Sequence, residues 1–188
     1  MSADLIAQNF GTYGGRVCVQ LGAAQVTYAR LHHVANQVAG FLVDHLSQGQ
    51  QVALYFCQNQ PELFEIAQGA KRGGFGYTNF YSYFSGQELL EKMKGGSYRV
   101  LFVDGKSLLT LEPVLAQIRS LGCIVVDINN STHLADVIQY SDILKRDDSF
   151  SVPQDRRPLG LPVMLTSGTT GPSKLVPIER SEDRKSVV

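Results

Sequence analysis

Cysteine is scarce in this chain. The three that occur, Cys18, Cys57 and Cys123, are far apart, odd in number and never spaced C-x-x-C. That argues against a disulfide framework and a cysteine-based zinc site, and leaves isolated buried thiols in a reducing compartment as the expectation. An excess of one charge is lacking too. Lysine plus arginine and aspartate plus glutamate both number 17, so nothing in the composition favours nucleic acid or an anionic membrane as a partner. No stretch approaches the ~18 apolar residues of a membrane span. Met1 to Gly15 lacks a basic segment followed by an apolar one, so no signal peptide is read there and a cytoplasmic location is expected. Internal repeats and low-complexity tracts are also missing. Tryptophan is absent, which excludes nothing.

What is present suits a globular domain. Apolar residues make up 44% of the 188 residues and charged ones 18%, enough apolar material for one core. Val17 to Gln20 and Gln25 to Thr27 read as short strands about a Leu21-Gly22-Ala23-Ala24 turn. Thr27 precedes an amphipathic helix with Leu31, Val34, Ala35, Val38, Leu42 and Leu46 at helical spacing. His32 and His33 are adjacent on it, point in different directions and cannot form an i,i+4 metal pair; they read as solvated.

Gln51 to Phe56 reads as a buried strand, followed by a helix capped by Asn59, with Pro61 in its first turn and Gly73-Gly74 at its end. Phe75 to Phe80 is a third strand. Ser85 and Glu88 form a capping-box pattern for a helix ending at Gly95-Gly96. Tyr98 to Asp104 reads as a buried strand, Pro113 to Ser120 as a helix stopped by Gly122, Cys123 to Ile128 as a strand and Leu134 to Leu144 as a helix. Lys145 to Arg157, with Pro153 and Pro158, is an exposed loop leading to a short buried strand, Leu161 to Leu165. Strands alternate with helices and several are apolar throughout. The pattern predicts a doubly wound α/β fold, with a mostly parallel sheet covered by helices on both faces.

After that last strand comes Thr166-Ser167-Gly168-Thr169-Thr170-Gly171-Pro172-Ser173-Lys174. Glycine lets the backbone approach an anion closely, successive amides form a concave anion site, hydroxyls add neutral donors and Lys174 adds a compact positive charge. The alternative, a Ser/Thr/Gly-rich surface turn, is disfavoured by the position after a strand, where open α/β sheets place their ligands. The spacing from Gly168 to Lys174 is not that of a Walker loop.

This stretch resembles the phosphate-loop signature of the adenylate-forming enzymes, the family of acyl-CoA synthetases, peptide-synthetase adenylation domains and luciferases. Thr166 to Gly171 reproduces its T-S-G-T-T-G core; the usual x-P-K-G-V continuation is here Pro172-Ser173-Lys174-Leu175-Val176, which keeps the lysine. Weaker likenesses run upstream, in Thr27-Tyr28-Ala29-Arg30-Leu31 through Ala35-Asn36-Gln37-Val38-Ala39 and in Asn59-Gln60-Pro61-Glu62.

The resemblance implies the first part of a large N-terminal adenylation domain. It implies an AMP-forming ligase that activates a carboxylic acid with ATP and Mg²⁺, releases pyrophosphate and then forms a thioester, most readily with coenzyme A, in the manner of fatty-acid metabolism. Thr166, Ser167, Gly168, Thr169, Thr170, Gly171 and Lys174 would bind the ATP phosphates. No catalytic residue and no metal ligand is assigned within the chain. Adenylation for a carrier protein and a non-catalytic nucleotide-binding module are the alternatives. The family's later motifs, an aromatic-Gly-x-Thr-Glu, a ribose-binding aspartate and a late lysine, find no counterpart; Lys185 is no stand-in. The missing C-terminal part of the same enzyme is therefore an expected partner, and the piece alone is expected to be inactive. Asp183 to Val188 matches what a common sequencing adapter encodes in one frame. Residues 1–181 are accordingly expected to form the partial domain and 182–188 a non-native tail.

Overall fold

The computed structural model describes residues 4–132, 134–151, 160–165 and 175–178. Helix α1 (Leu5–Tyr13) leads into an antiparallel hairpin, β1 (Val17–Leu21) and β2 (Ala24–Thr27). Helix α2 (Tyr28–His45) follows, with the Thr27 hydroxyl accepting from the Arg30 amide at its cap. Next come β3 (Gln51–Tyr55), α3 (Pro61–Gly73), β4 (Gly76–Phe80), α4 (Gly86–Lys94) and β5 (Tyr98–Val103). Helix α5 (Gly105–Leu111) and α6 (Leu115–Ser120), joined by a 3-10 turn at Glu112–Val114, lead to β6 (Ile124–Asp127), β7 (Val137–Gln139) and α7 (Tyr140–Ile143). Beyond lie β8 (Val163–Leu165) and β9 (Leu175–Pro177).

Five strands form one parallel sheet in the order β4-β3-β5-β6-β7, so the expected doubly wound α/β architecture is present. The central strands β3, β5 and β6 are largely apolar on both faces because helices cover both. On one face α2, α3 and α7 pack Val38, Leu42, Ile66, Ala70 and Ile143 against Leu54 and Phe102. On the other, α4, α5 and α6 pack Leu89, Leu90, Leu111 and Ile118 against Tyr55, Leu101 and Val125.

Several boundaries differ from expectation. Helix α3 is capped at Gln60, without a side-chain bond, rather than at Asn59. The capping box at Ser85 and Glu88 is present in full. Helix α5 was not foreseen; Asp104, read as the end of a strand, is its cap and accepts from the Ser107 amide. Helix α1 lies in Met1 to Gly15, where the sequence reading assigned no element. It is held by polar contacts: Asp4 accepts from the Ile6 and Ala7 amides, from Gln68 and from Arg72.

The expected helix over Leu134–Leu144 is instead β7 followed by the short α7. Asp136 sits at φ 64, which interrupts a helix, and Val137 and Ile138 pair with Val125 and Val126 along the open edge of β6. A free ladder edge favours β-branched residues over a marginal helical spacing.

His32 is not solvated. It stacks on Phe10 with centroids 4.3 Å apart and lies 3.1 Å from the Arg72 guanidinium. His33 is exposed and pairs with Asp148 at 2.5 Å. All three cysteines are free, but only Cys123 is buried; Cys18 and Cys57 are half-buried. Burial pushes the Cys123 thiol up to about 12.

Candidate phosphate-binding site

The predicted phosphate-loop residues Thr166, Ser167, Gly168, Thr169, Thr170, Gly171 and Lys174 lie outside the described residues, as do residues 182–188. What the structure describes is the frame that holds the loop's two ends. Strand β8 pairs antiparallel with β9, in the register Val163↔Pro177, Met164↔Val176 and Leu165↔Leu175. The nine residues of the signature are thus the connection of a hairpin whose last pair is Leu165 with Leu175.

The expectation of a buried strand over Leu161–Leu165 holds only at its end. Leu165 is 5% exposed and joins the core, while Met164 is exposed. Two anchors tie this hairpin to the sheet. At its base, the Tyr77 amide donates to the Leu161 carbonyl at 3.3 Å and Tyr77 bridges Pro162 in parallel sense, while within the hairpin the Ile178 amide donates to the Pro162 carbonyl at 2.9 Å. At its loop end, the Tyr81 hydroxyl donates to the Leu165 carbonyl at 3.2 Å. Because β8 runs parallel to β4, its last residue faces the carboxyl edge of the parallel sheet, where such sheets bind ligands.

That edge carries a second, polar structure at the point where the winding reverses. Strand β3 exits towards α3 on one face and β5 exits towards α5 on the other. Between them sits Asp104, 1% exposed, accepting from the Cys57 amide at 2.7 Å, the Gln60 side-chain amide at 3.2 Å and the Ser107 amide at 2.7 Å. Burial raises the Asp104 pKa, but the bonds from Ser107 and Cys57 outweigh it, so the carboxyl stays below its ordinary value. Burial and then the Asp104 carboxylate push the Cys57 thiol upward, which disfavours a thiolate nucleophile there.

Next along the edge, Asp127 accepts from the amides of Asn129, Ser131 and Thr132 and from the Ser131 hydroxyl. Asn129 links the two clusters by donating to Gln60 and accepting from the Gly105 amide. Both carboxylates are occupied by internal donors, so they brace three loops. A cleft of about 480 Å³ opens between α5 and the β6–β7 connection, with Lys106, Leu109, Asn129 and Leu134 on its walls. It stands at the ends of β5 and β6, with β4 and β3 between it and β8. Among the described residues, no group of three or more His, Cys, Asp or Glu side chains could hold a metal ion.

The sequence model of one family, described as AMP-binding enzyme, matches residues 6–182. The chain belongs to that family. Among solved structures, this AMP-binding chain is similar to an anthranilate CoA ligase in complex with anthranoyl-AMP, with TM-score 0.78 and 19% identity over 93% of this chain and 33% of that one. It is also similar to ATP-bound MatB from Rhodopseudomonas palustris, with TM-score 0.74 and 22% identity over 95% of this chain and 35% of that one. A luciferase from Phrixothrix hirtus gives TM-score 0.74 and 19% identity over 93% of this chain and 44% of that one. The chain therefore spans between a third and under a half of these structures. No curated protein matches it.

Sequence reasoning missed Tyr81 and Asp104. The aromatic run Phe80, Tyr81, Tyr83 and Phe84 just before the Ser85 cap was a signal for the first. Aspartate ahead of Gly105, with Ser107 three positions on, was a helix-cap signal for the second.

Proposed function

We propose that this chain forms the phosphate-binding part of an adenylate-forming ligase. The observation that carries this is the Thr166–Lys174 signature strung between the paired ends of β8 and β9 at the carboxyl edge of the sheet. In this reading the amides and hydroxyls of Thr166, Ser167, Gly168, Thr169, Thr170 and Gly171 clasp the β- and γ-phosphates of ATP. Lys174 offsets the charge of the departing pyrophosphate. A carboxylate substrate is the nucleophile, attacking the α-phosphorus to give an acyl-adenylate. Donors arranged beforehand stabilise charge developing on phosphate oxygens without reorganising during the reaction. The described residues offer no ligand set for Mg²⁺, so the ion enters this reading only as the counter-ion ATP carries.

The finer step, transfer of the acyl group to the thiol of coenzyme A, is supported by likeness to the anthranilate CoA ligase and to an acyl-CoA synthetase from Brucella canis, at 19% and 20% identity. The location is proposed to be cytoplasmic.

The test is titration of the chain with MgATP and with inorganic tripolyphosphate. Lys174→Ala removes a charge-assisted contact and is expected to weaken both by about ten- to a hundredfold. Lys185→Ala is expected to change neither. Equal affinities for wild type and Lys174→Ala would refute the assignment.

A further inference from the structure

The loop end of the β8–β9 hairpin needs an external support. Each strand has three residues, and an isolated two-stranded hairpin is marginal in water. The bonds from Tyr77 to Leu161 and from Ile178 to Pro162 secure the base of the hairpin, not the end from which the signature departs. At that end stands the Tyr81 hydroxyl, bonded to the carbonyl of Leu165, the residue before Thr166.

Tyr81 is itself held in place from the centre of the sheet. The Tyr55 hydroxyl, at the end of β3, donates to the Phe84 carbonyl. The Phe84 amide donates to the Tyr81 carbonyl at 3.1 Å, closing a turn. Ser85 then starts α4 through its capping box. The Tyr81 ring is clamped between neighbours: Tyr83 stacks on it at 5.1 Å and 9°, and Phe84 meets it edge-on at 5.5 Å. A chain of hydrogen bonds thus runs from β3 through the 81–84 turn to the last residue of β8.

We propose that Tyr81 is a positioning residue for the phosphate loop, its hydroxyl fixing the carbonyl at which the loop leaves β8. This rests on the reading of Thr166–Lys174 as a phosphate site. Tyr81 touches no phosphate in this account. It holds the loop stem in one direction before the nucleotide arrives, so less ordering remains to be done on binding.

The test compares wild type, Tyr81→Phe and Tyr98→Phe. Tyr81→Phe keeps the stacked ring and removes one hydroxyl. Tyr98→Phe removes a buried hydroxyl bonded at 2.8 Å to Thr78 in the same sheet, a bond that does not reach Leu165, and serves as the structural control. MgATP affinity is measured by calorimetry, and amide hydrogen exchange is followed in peptides covering 165–175. Tyr81→Phe is expected to weaken MgATP by about two- to tenfold, the size of one neutral hydrogen bond, and to speed exchange at the stem. Tyr98→Phe is expected to lower thermal stability while leaving both readouts unchanged. If wild type binds MgATP and Tyr81→Phe matches it in both readouts, the positioning role is overturned. Equal losses in Tyr81→Phe and Tyr98→Phe overturn it as well, since general softening then explains them. If wild type itself binds neither MgATP nor tripolyphosphate, the phosphate-site reading fails, and the exchange rates still show whether Tyr81 anchors the stem.

Discussion

At the residue scale, Gly160 shows how closely the approach to the candidate site is packed. Its amide donates to the Lys71 carbonyl at 2.9 Å, and a Cβ placed on it would lie 1.9 Å from the Phe75 carbonyl oxygen. Backbone cannot swing aside as a side chain can, so Gly160→Ala must push the chain off α3 and β4 before it reaches β8. A destabilisation of about 1–3 kcal/mol is expected, as for other overpacked positions, read as a lower urea midpoint at unchanged slope. Gly11→Ala is the matching control. It lies within α1 with nothing within 4 Å of an added Cβ, and should stabilise by up to about 1 kcal/mol through reduced chain entropy. In the sequence the two glycines look alike; only the fold separates them.

At the element scale, helix α4 links the core to the turn that carries Tyr81. The Ser85 hydroxyl accepts from the Glu88 amide at 3.3 Å, and the Ser85 amide donates to the Glu88 carboxylate at 2.8 Å. Ser85→Ala breaks the capping box and is expected to cost about 0.5–2 kcal/mol in chemical denaturation. This element was legible beforehand because a cap is a local pattern of residue types. The segment Leu134–Leu144 was not. Its apolar spacing fits a helix, yet it forms β7 because the edge of β6 offers unpaired backbone groups. Strand β9 was equally hidden: Leu175–Pro177 has three residues and becomes a strand only through pairing with β8.

At the scale of the whole molecule, buried carboxylates set the response to acid, and they do so with opposite signs. Asp4 is raised by burial but lowered more by Arg72 and the Ala7 amide, so its folded pKa falls below the ordinary 3.8. Asp104 behaves likewise. For these groups the unfolded chain binds more protons, so their stabilisation is present above about pH 3.8 and is lost as pH falls through the folded values.

Glu65 is the reverse. It is fully buried between Arg30 at 2.7 Å and the Tyr140 hydroxyl at 3.1 Å, and burial outweighs Arg30 in raising its pKa above 4.5. The folded chain therefore holds that proton longer. Its contribution is full below pH 4.5 and declines as pH rises through the folded value. Urea midpoints measured across this range should show both slopes in wild type. In Glu65→Gln the decline above pH 4.5 should vanish while the acid slope remains. A decline that persists in Glu65→Gln would assign it to another group.

Local residue patterns determined the fold class and the position of the loop. Alternating apolar strands and capped helices require a covered parallel sheet, and the T-S-G-T-T-G run with its lysine has the residue types of the proposed anion site. Tertiary structure alone decided what surrounds that site. Tyr55, Tyr81 and Leu165 are separated by 26 and 84 positions in the chain, so their alignment exists only once β3, β4 and β8 lie side by side. Asp104 reads as one more cap until the reversal of strand order sets Cys57 and Gln60 beside it. The physical reason is range. Capping and periodicity act within a few residues and are written in sequence order, whereas a hydrogen bond across a sheet depends on which strands become neighbours.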